Sequence, residues 1–508
     1  MTGVNLTGAS STFPLTWDAI SWRRVVAEVK RLQMRIAKAI REKRYGKAKA
    51  LQWLLTRSYY AKLLAIKRVA QSTGAKTPGI DGVIWRTPRQ KMRAVSLLKR
   101  RGYHPQPLRR IYIPKKNGDR RPLSIPTLHD RAMQALYLLA LEPVTETLAD
   151  RNAYGFRPKR CVADAIEQCF KALVQKTSAS WILEGDIRSC FDTLSGEWLR
   201  NHTPMDKMLL SKWLTAGYIE HGMRYPTFNG VPQGGTISPA LLVLALSGLE
   251  EAIKRVTTRN DKVNVVVYAD DFIVTGASKE VLEQKVMPAA ITFLAHRGLA
   301  LSAEKTKITH VDEGFNFLGF NIRKYKGKLL IKPAKANVKA LLAKSKALFK
   351  SHTAAKAEDL IRRLNSLLRG WSNYYRFAVA KKIFTAAEDR IYWQVARWVK
   401  RRHPQKNAQW RYNKYYRAQG LRHKIFSAPV KNKDGHQSVL DLYSIARVPI
   451  RRHIKIKGEA TPYDPQFKNY FLQRERLKRI LTLRQKEPQP LVTPSLNRRG
   501  IAGLHSSL

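Results

Sequence analysis

The chain has 508 residues, of which 44% are hydrophobic and 9% aromatic; it is long enough for several domains and has the composition of a folded protein. Lysine and arginine number 94 against 37 acidic residues, which gives a formal net charge of +57. Self-repulsion of that size predicts a polyanionic partner, whose phosphates would supply much of the binding energy. An anionic membrane surface is the alternative. However, no apolar run approaches the roughly 18 residues of a transmembrane helix, so nucleic acid is favoured and no membrane partner is expected.

The three cysteines, Cys161, Cys169 and Cys190, have the spacing of neither a zinc site nor a disulfide framework. The N-terminal stretch MTGVNLTGASSTFPLTW lacks the basic start and apolar core of a secretory signal, and it contains no arginine that would suit a transit peptide. A reducing interior compartment is therefore expected. The bacterial cytoplasm fits best, with an organelle as the alternative.

Residues 17–71 have apolar side chains every three to four positions with Lys and Arg between them, which predicts helices. An amphipathic helix pair with a solvated basic face would explain this pattern. The net charge favours a helical, RNA-binding N-terminal extension over residues 1–85, with Arg31 and Arg35 as candidate RNA contacts. Residues 77–85 are a turn-rich break. Residues 108–127 then alternate in polarity around Asn-Gly, which predicts a β-hairpin.

Two aspartates, Asp270 and Asp271, interrupt the apolar run VNVVVYADDFIVTG, which predicts a hairpin with both acids at its tip. A surface turn is the alternative, since Asp is common in turns. A second apolar strand, in WILEGDIRSCFDTL, ends at Asp186. Carboxylates on two adjacent strands suit two-metal phosphoryl transfer, in which the ions lie roughly 3.5–4 Å apart. We expect Asp186 and Asp270 to bridge two Mg²⁺ ions, with Asp271 as a supporting acid.

Seven segments occur in the order in which they occur in reverse transcriptases: YIPKKNGDRRPLSIPTLHDRAMQ, YGFRPKRCVADA, EGDIRSCFD, GVPQGGTISPALL, YADD, LALSAEKTKITH and GFNFLGF. The chain more closely resembles the proteins encoded within group II introns, which combine a reverse transcriptase and a maturase. This resemblance covers nearly the whole chain. It implies an α+β right-hand polymerase, with fingers and an antiparallel palm sheet, followed by a helical thumb.

The resemblance also implies domain boundaries after the extension at 1–85. Fingers and palm are expected at 86–333, and the thumb or maturase (X) domain at 334–400. A basic DNA-binding segment is expected at 401–480, and a flexible tail at 481–508. The last hundred residues contain no cysteine, so the His-Asn-His endonuclease domain of many relatives, with its paired CxxC motifs, is not expected.

Nucleotide-binding roles follow from the same resemblance. Lys115 and Arg121, across the Asn-Gly hairpin, would clamp the incoming triphosphate; a generic basic turn is the alternative. Phe191 would lie against the 2′ position of the sugar and exclude ribonucleotides, with an ordinary core phenylalanine as the alternative. Gln233 and Gly234 lie where template and nucleotide base approach the backbone closely.

Two further residues belong to the expected catalytic centre. Lys305 in AEKTK resembles the lysine that protonates the leaving pyrophosphate, although a solvated surface lysine would have the same sequence context. Ile187, directly after Asp186, is included in the expected metal site.

Aromatic and basic residues interleave after residue 333, in LNSLLRGWSNYYRF and WVKRRHPQKNAQWRYNKYY. Lys and Arg contact phosphates, and unpaired bases stack on aromatic rings. The candidate RNA contacts are Trp371, Tyr374, Tyr375, Arg401 and Arg402. Core packing is an equally good explanation for Trp371, and a solvated face is the alternative for the two arginines.

The sequence therefore predicts an RNA-directed DNA polymerase that binds its own group II intron RNA, assists splicing and performs target-primed reverse transcription during intron mobility. Its expected partners are the intron RNA, target DNA and deoxynucleoside triphosphates, and a monomer or a homodimer remains open. A splicing factor with an inactive polymerase domain is the alternative, against which the intact aspartates argue. A retron-type or other cellular reverse transcriptase is disfavoured by the long N-terminal extension and the maturase-like last third.

Overall fold

The computed structural model describes residues 16–114, 118, 120–227, 229–420, 422–431 and 435–483. The N-terminal part is helical, as predicted, with α1 (Trp22–Arg41), α2 (Tyr45–Arg57), α3 (Tyr59–Ala70) and α4 (Pro88–Leu97). The apolar face of α1 is buried. It packs on α5 (Leu128–Leu148), where the Gln33 side chain donates to the Leu139 carbonyl over 2.7 Å. The extension thus shares a core with residues of the central sheet and its helices, up to Leu299.

The Asn-Gly segment connects two antiparallel strands, β1 (Leu108–Pro114) and β2 (Arg120–Ile125), which confirms the predicted hairpin. Residues 115–117 and 119 lie outside the described part of the chain. On its other edge β1 pairs in parallel with β4 (Tyr218–Glu220), which pairs with β5 (Met223–Tyr225). Since this small sheet has the order β2-β1-β4-β5, it joins residues about a hundred positions apart.

The central sheet has the order β6-β7-β3-β8 with antiparallel neighbours throughout. Its strands are β3 (Trp181–Asp186), β6 (Val265–Tyr268), β7 (Asp271–Gly276) and β8 (Lys307–His310). The strands are short, and β6 and β7, which are rich in β-branched residues, are mostly buried. The surrounding helices are α6 (Val162–Leu173), α7 (Cys190–Thr193), α8 (Gly196–His202), α9 (Lys207–Leu214), α10 (Ser238–Leu246), α11 (Leu249–Arg255) and α12 (Met287–Ala295). This architecture confirms the predicted α+β palm.

A three-stranded sheet, β9 (Phe315–Phe317), β10 (Phe320–Tyr325) and β11 (Lys328–Pro333), leads into the predicted helical region. That region contains α13 (Lys335–Ser351), α14 (Ala357–Tyr375) and α15 (Lys381–Arg402). It continues into α16 (Ala408–Tyr415) and the sheet β12 (Tyr416–Gln419), β13 (Arg422–Lys431) and β14 (Gln437–Asp441). One apolar core holds Leu364, Trp398, Tyr415 and Phe426, so the boundary expected at 400 falls inside a packed unit.

Residues 1–463 form one compact unit and residues 464–508 a second, which contains α17 (Lys468–Leu483). The tail expected at 481–508 thus begins within the last turn of α17, and residues 484–508 lie outside the described part of the chain. Over the described residues, no helix combines the length and the apolar character needed to cross a bilayer.

Candidate active site

The two adjacent aspartates lie at a tight turn between β6 and β7. Tyr268 pairs with Asp271, so Ala269 and Asp270 form the turn itself. Ala269 has a φ of 58°, in the left-handed region that non-glycine residues adopt infrequently. The strands behind the turn are held by full burial of Val266 and Val274. The sequence-based prediction of a hairpin with both acids at its tip is confirmed.

Asp186 is brought to the same place by β3, which lies directly beside β7. In the antiparallel register Asp186 is opposite Asp271. The Ile187 amide then donates to the Asp270 carbonyl over 3.2 Å, which ties the end of β3 to the turn. All three carboxylates therefore lie at one end of the central sheet, although 84 positions separate Asp186 from Asp270 in the sequence.

The electrostatics of this end of the sheet favour a cation. Burial, together with the charges of Asp270 and Asp186, raises the pKa of Asp271 to about 6. The Lys305 ammonium donates to Asp186 Oδ2 over 2.9 Å, and this hydrogen bond raises the pKa of the lysine. Among the ion pairs of the described residues, these three carboxylates have one cationic partner, the exposed Lys305 ammonium. They form an all-oxygen donor set of the kind that hard divalent ions prefer. Because Lys305 contacts Asp186, the structure places it at the site.

Phe191 lies on α7, five residues beyond Asp186, and is half-buried. Its ring meets the ring of Phe156 edge-on at 6.2 Å, and Phe156 is 52% exposed. The Phe191 carbonyl accepts from the Val231 amide over 2.7 Å, which fixes the backbone of α7 against the loop between β5 and α10. Its ring therefore packs partly against the main core and partly against an exposed neighbour. Whether it contacts a sugar stays a prediction.

Gln233 and Gly234 pack against β2 of the Asn-Gly hairpin. The Gln233 carbonyl accepts from the Ser124 amide over 2.8 Å, and its side chain donates to Asp192 Oδ2 over 3.2 Å. Gly234 has a φ of 120°, and a Cβ there would come within 2.6 Å of the Ser124 carbonyl oxygen. The glycine is thus required by the close approach of β2.

The structure describes one of the two triphosphate candidates, Arg121. Arg121 is exposed on β2, opposite Ile113 of β1. Lys115 lies outside the described residues. Their contacts with a nucleotide remain predictions.

The loop Tyr154-Gly155-Phe156, in the YGFRP segment, also belongs to the site, although the sequence alone assigns it no role. The Tyr154 amide donates to the Val267 carbonyl over 2.9 Å. A Cβ on Gly155 would lie 2.3 Å from the Ala269 nitrogen, so this loop packs directly on the turn that carries Asp270. The adjacent Gly-Phe was visible in the sequence, but nothing local indicated its contact with a turn more than a hundred residues away.

The RNA-contact candidates divide by exposure. Arg31 and Arg35 are exposed on α1, and Arg31 also pairs with Glu28 at 2.7 Å. Arg401 is exposed at the end of α15, whereas Arg402 donates to the carbonyls of Thr353 and Ala355 at 2.9 and 2.7 Å. Arg402 therefore has a clear intramolecular role.

The aromatic candidates on α14 pack against the turn between β9 and β10. Tyr374 donates to the Leu318 carbonyl over 2.8 Å, and Tyr375, which is buried, donates to the Gly319 carbonyl over 3.2 Å. Trp371 is half-buried, with its ring against Tyr375 and Phe384. Core packing, the alternative considered for Trp371, accounts for these contacts, and RNA binding by the three residues stays a prediction.

Three family descriptions match consecutive parts of the chain. They are "N-terminal domain of reverse transcriptase" over residues 17–98, "Reverse transcriptase (RNA-dependent DNA polymerase)" over 113–322 and "Group II intron, maturase-specific domain" over 338–416. Protein YkfC of Escherichia coli is 34% identical over 304 residues, which cover 51% of this chain and 79% of YkfC. The chain belongs to the group II intron reverse transcriptase–maturase family.

Two intron proteins extend this comparison. The group II intron-encoded protein LtrA of Lactococcus lactis is 29% identical over 330 residues, and a 91 kDa protein in a cob intron of Schizosaccharomyces pombe is 25% identical over 422. The alignments cover 51% and 64% of this chain, and the chain spans about half the length of each relative (54% and 50%). The polymerase domain of this reverse transcriptase–maturase is that of an RNA-directed DNA polymerase, and members of the family use divalent metal ions.

Proposed function

We propose that this reverse transcriptase–maturase copies its own group II intron RNA into DNA at a target site, and that it also binds the intron RNA to assist splicing. The observation that carries the polymerase part is the pairing of Asp186 with Asp271 beside the turn at Asp270. Deoxynucleoside triphosphates, intron RNA and target DNA are the proposed substrates and partners. The bacterial cytoplasm is the proposed location.

Two Mg²⁺ ions are the proposed cofactors, held by Asp186 and Asp270 with Asp271 in support. The donor set fits, because the three acids supply only oxygens. Burial and the neighbouring carboxylates raise the pKa of Asp271, and a divalent charge would offset both effects. Ile187 has no polar side-chain atom, so only its backbone carbonyl could take part. When bound, the ions would activate the primer hydroxyl and neutralise charge on the transferred phosphoryl group.

The protein's own residues would bind and orient the nucleotide. Arg121, with Lys115, would hold the triphosphate, and the Phe191 ring would limit the space at the sugar. Lys305 would supply a proton to the leaving pyrophosphate. Its ammonium lies 2.9 Å from Asp186, which supports a position at the reacting phosphates rather than on a remote surface.

RNA binding would rest on the basic surface. The net charge of +57, the exposed Arg31 and Arg35 on α1 and the exposed Arg401 on α15 support contacts with phosphates. Because counterions are released as phosphates are neutralised, affinity for the intron RNA should fall steeply as salt rises.

Primer extension on an RNA template tests the polymerase, with wild-type protein, Mg²⁺ and all four deoxynucleotides. Extension that disappears with EDTA and returns with Mg²⁺ would support the proposal. Splicing assistance without any extension would instead identify a splicing factor with an inactive polymerase domain. Sequencing of the RNA that co-purifies with the protein would identify the intron.

A further inference from the structure

The loop of residues 149–161, between α5 and α6, lies against the catalytic hairpin on one side. The Val267 amide donates to the Asn152 carbonyl over 3.0 Å, and the Tyr154 amide donates to the Val267 carbonyl over 2.9 Å. The loop thereby adds a short parallel bridge to β6 and then passes under Ala269 through Gly155. The position of the turn that carries Asp270 is thus set in part by this loop.

The same loop contacts a distant part of the chain on its other side, residues 451–463. Arg160 Nη2 donates to the Gly458 carbonyl over 2.7 Å, while Nη1 donates to the Arg151 carbonyl over 3.3 Å. Gly458 packs so closely that a Cβ there would lie 3.1 Å from the Arg151 Cβ. One guanidinium thus holds both the loop and the C-terminal segment.

A buried carboxylate secures the same contact at the start of α6. Asp164 is fully buried and accepts from His453 Nε2 at 2.9 Å and from the Ile456 amide at 2.7 Å. Its other oxygen accepts from the amide and the thiol of Cys161. The thiol, carboxylate and imidazole lie within 4.8 Å of one another, but hydrogen bonds already occupy both carboxylate oxygens. The cluster therefore joins residues 451–463 to the loop without needing an ion.

These contacts are costly to disrupt. Arg160 is 9% exposed, and burial lowers its pKa to about 10. Hydrogen bonds to charged groups are stronger than neutral ones, and a buried carbonyl left without its donor is penalised further. The loop should therefore keep one position as long as Arg160 and Asp164 keep theirs.

We infer that Arg160 is a positioning residue for DNA synthesis: by fixing residues 451–463 against the loop 149–161, it holds the turn at Ala269 and Asp270 in its reactive place. Residues 451–463 are then part of the polymerase, in addition to lying in the basic segment 401–480 that the sequence predicts to bind DNA. This inference rests on the polymerase activity proposed above.

Arg160→Met tests the inference, because the variant keeps much of the apolar stem and removes the guanidinium. Single-turnover primer extension gives two separate quantities. The rate constant reports on correctly folded molecules, and the amplitude reports the fraction of the protein that is correctly folded. We expect the rate constant to fall about tenfold, since small displacements of catalytic groups have effects of this size or larger. We also expect the Mg²⁺ concentration for half-maximal rate to rise, because Asp270 is displaced.

Lys171→Met is the matched control, since Lys171 is exposed on α6, the helix that directly follows the loop, and the charge change is identical. The rate constant of Lys171→Met should stay within about twofold of wild type. If neither the wild type nor this control extends the primer, the proposed polymerase activity itself is refuted. If Arg160→Met lowers only the amplitude and leaves the rate constant and the Mg²⁺ requirement unchanged, Arg160 has a structural role alone and the inference is wrong.

His453 provides an independent test of the same contact. His453→Ala removes the donor to Asp164 and should lower the rate constant in the same direction as Arg160→Met. His453→Gln retains an N–H donor and should restore most of the rate. Equal losses in the two His453 variants would contradict a positioning role for the hydrogen bond.

Discussion

Gly155 contacts the catalytic hairpin so closely that a Cβ at this position would lie 2.3 Å from the Ala269 nitrogen and 2.9 Å from the Tyr268 carbonyl carbon. Both atoms belong to backbone and cannot rotate away, unlike the end of a flexible side chain. The absence of a side chain at Gly155 therefore allows the loop to support the turn that carries Asp270.

Gly155→Ala should lower DNA synthesis more than it lowers thermal stability. The new methyl group must displace either the loop or the turn, and a displaced metal ligand costs about ten- to a hundredfold in rate. The measurement is the single-turnover rate constant together with the melting temperature. Gly46→Ala is the matched control, because a Cβ at Gly46 meets no atom within 4 Å. Equal rates for the two variants would show that the contact is not critical.

Asp270→Asn should abolish DNA synthesis and leave RNA binding nearly intact. The substitution removes a negative charge from the proposed metal site, where each ion stabilises the transition state by several kcal/mol, so a loss of at least about a hundredfold is expected. Binding rests on the basic surface elsewhere. Primer extension and filter binding on the same preparation check both parts; residual polymerisation within a few-fold of wild type would refute the assignment.

Phe191→Ala should increase incorporation of ribonucleotides relative to deoxynucleotides by about 10–100-fold, because the missing ring leaves room for a 2′-hydroxyl. The ratio of kcat/KM for the two nucleotides is the quantity to measure. Phe156→Ala removes the ring that packs edge-on against Phe191 but leaves Phe191 in place, and should change the ratio less. An unchanged ratio in Phe191→Ala would favour the ordinary packing role.

The sequence predicted the parts of the fold that depend on local pattern. Helices at residues 17–71 and after 334, the Asn-Gly hairpin and the acidic turn at Asp270 follow from periodicity and turn chemistry. Contacts between distant segments were not predictable in this way. The core that joins Trp398 to Phe426 crosses the boundary expected at 400, because burial of large rings and not local composition determines where that unit ends.

The candidate site shows the same division. Strand ends and family motifs predict a shared site for Asp186, Asp270, Asp271 and Lys305, and the structure brings these four residues together. The support behind them was missed, because Arg160 and Gly458 are 298 positions apart and neither lies in a pattern that indicates a partner. No local pattern distinguishes the neighbouring arginines at 401 and 402, although the end of the helix exposes Arg401 and turns Arg402 toward two carbonyls.

The structure predicts different effects for those two arginines. Arg402 donates to the Thr353 and Ala355 carbonyls and lies 5.2 Å from the Trp398 ring centre, so it fixes the connection between α13 and α14. Arg402→Ala should lower the melting temperature by a few degrees, since two charge-assisted hydrogen bonds are lost.

Arg401→Ala should instead weaken binding of intron RNA and leave the melting temperature unchanged. Arg401 is exposed and borders a groove of about 630 Å³ between α13 and α15, together with Lys346, Lys350, Arg390 and Arg397. Removing one of several phosphate contacts should reduce affinity and flatten its salt dependence by about one unit of slope. Binding titrations at four salt concentrations, with thermal melts of both variants, measure these effects. If Arg401→Ala binds like wild type while Arg402→Ala loses both stability and binding, RNA does not contact this end of α15, and the basic pair serves the thumb fold.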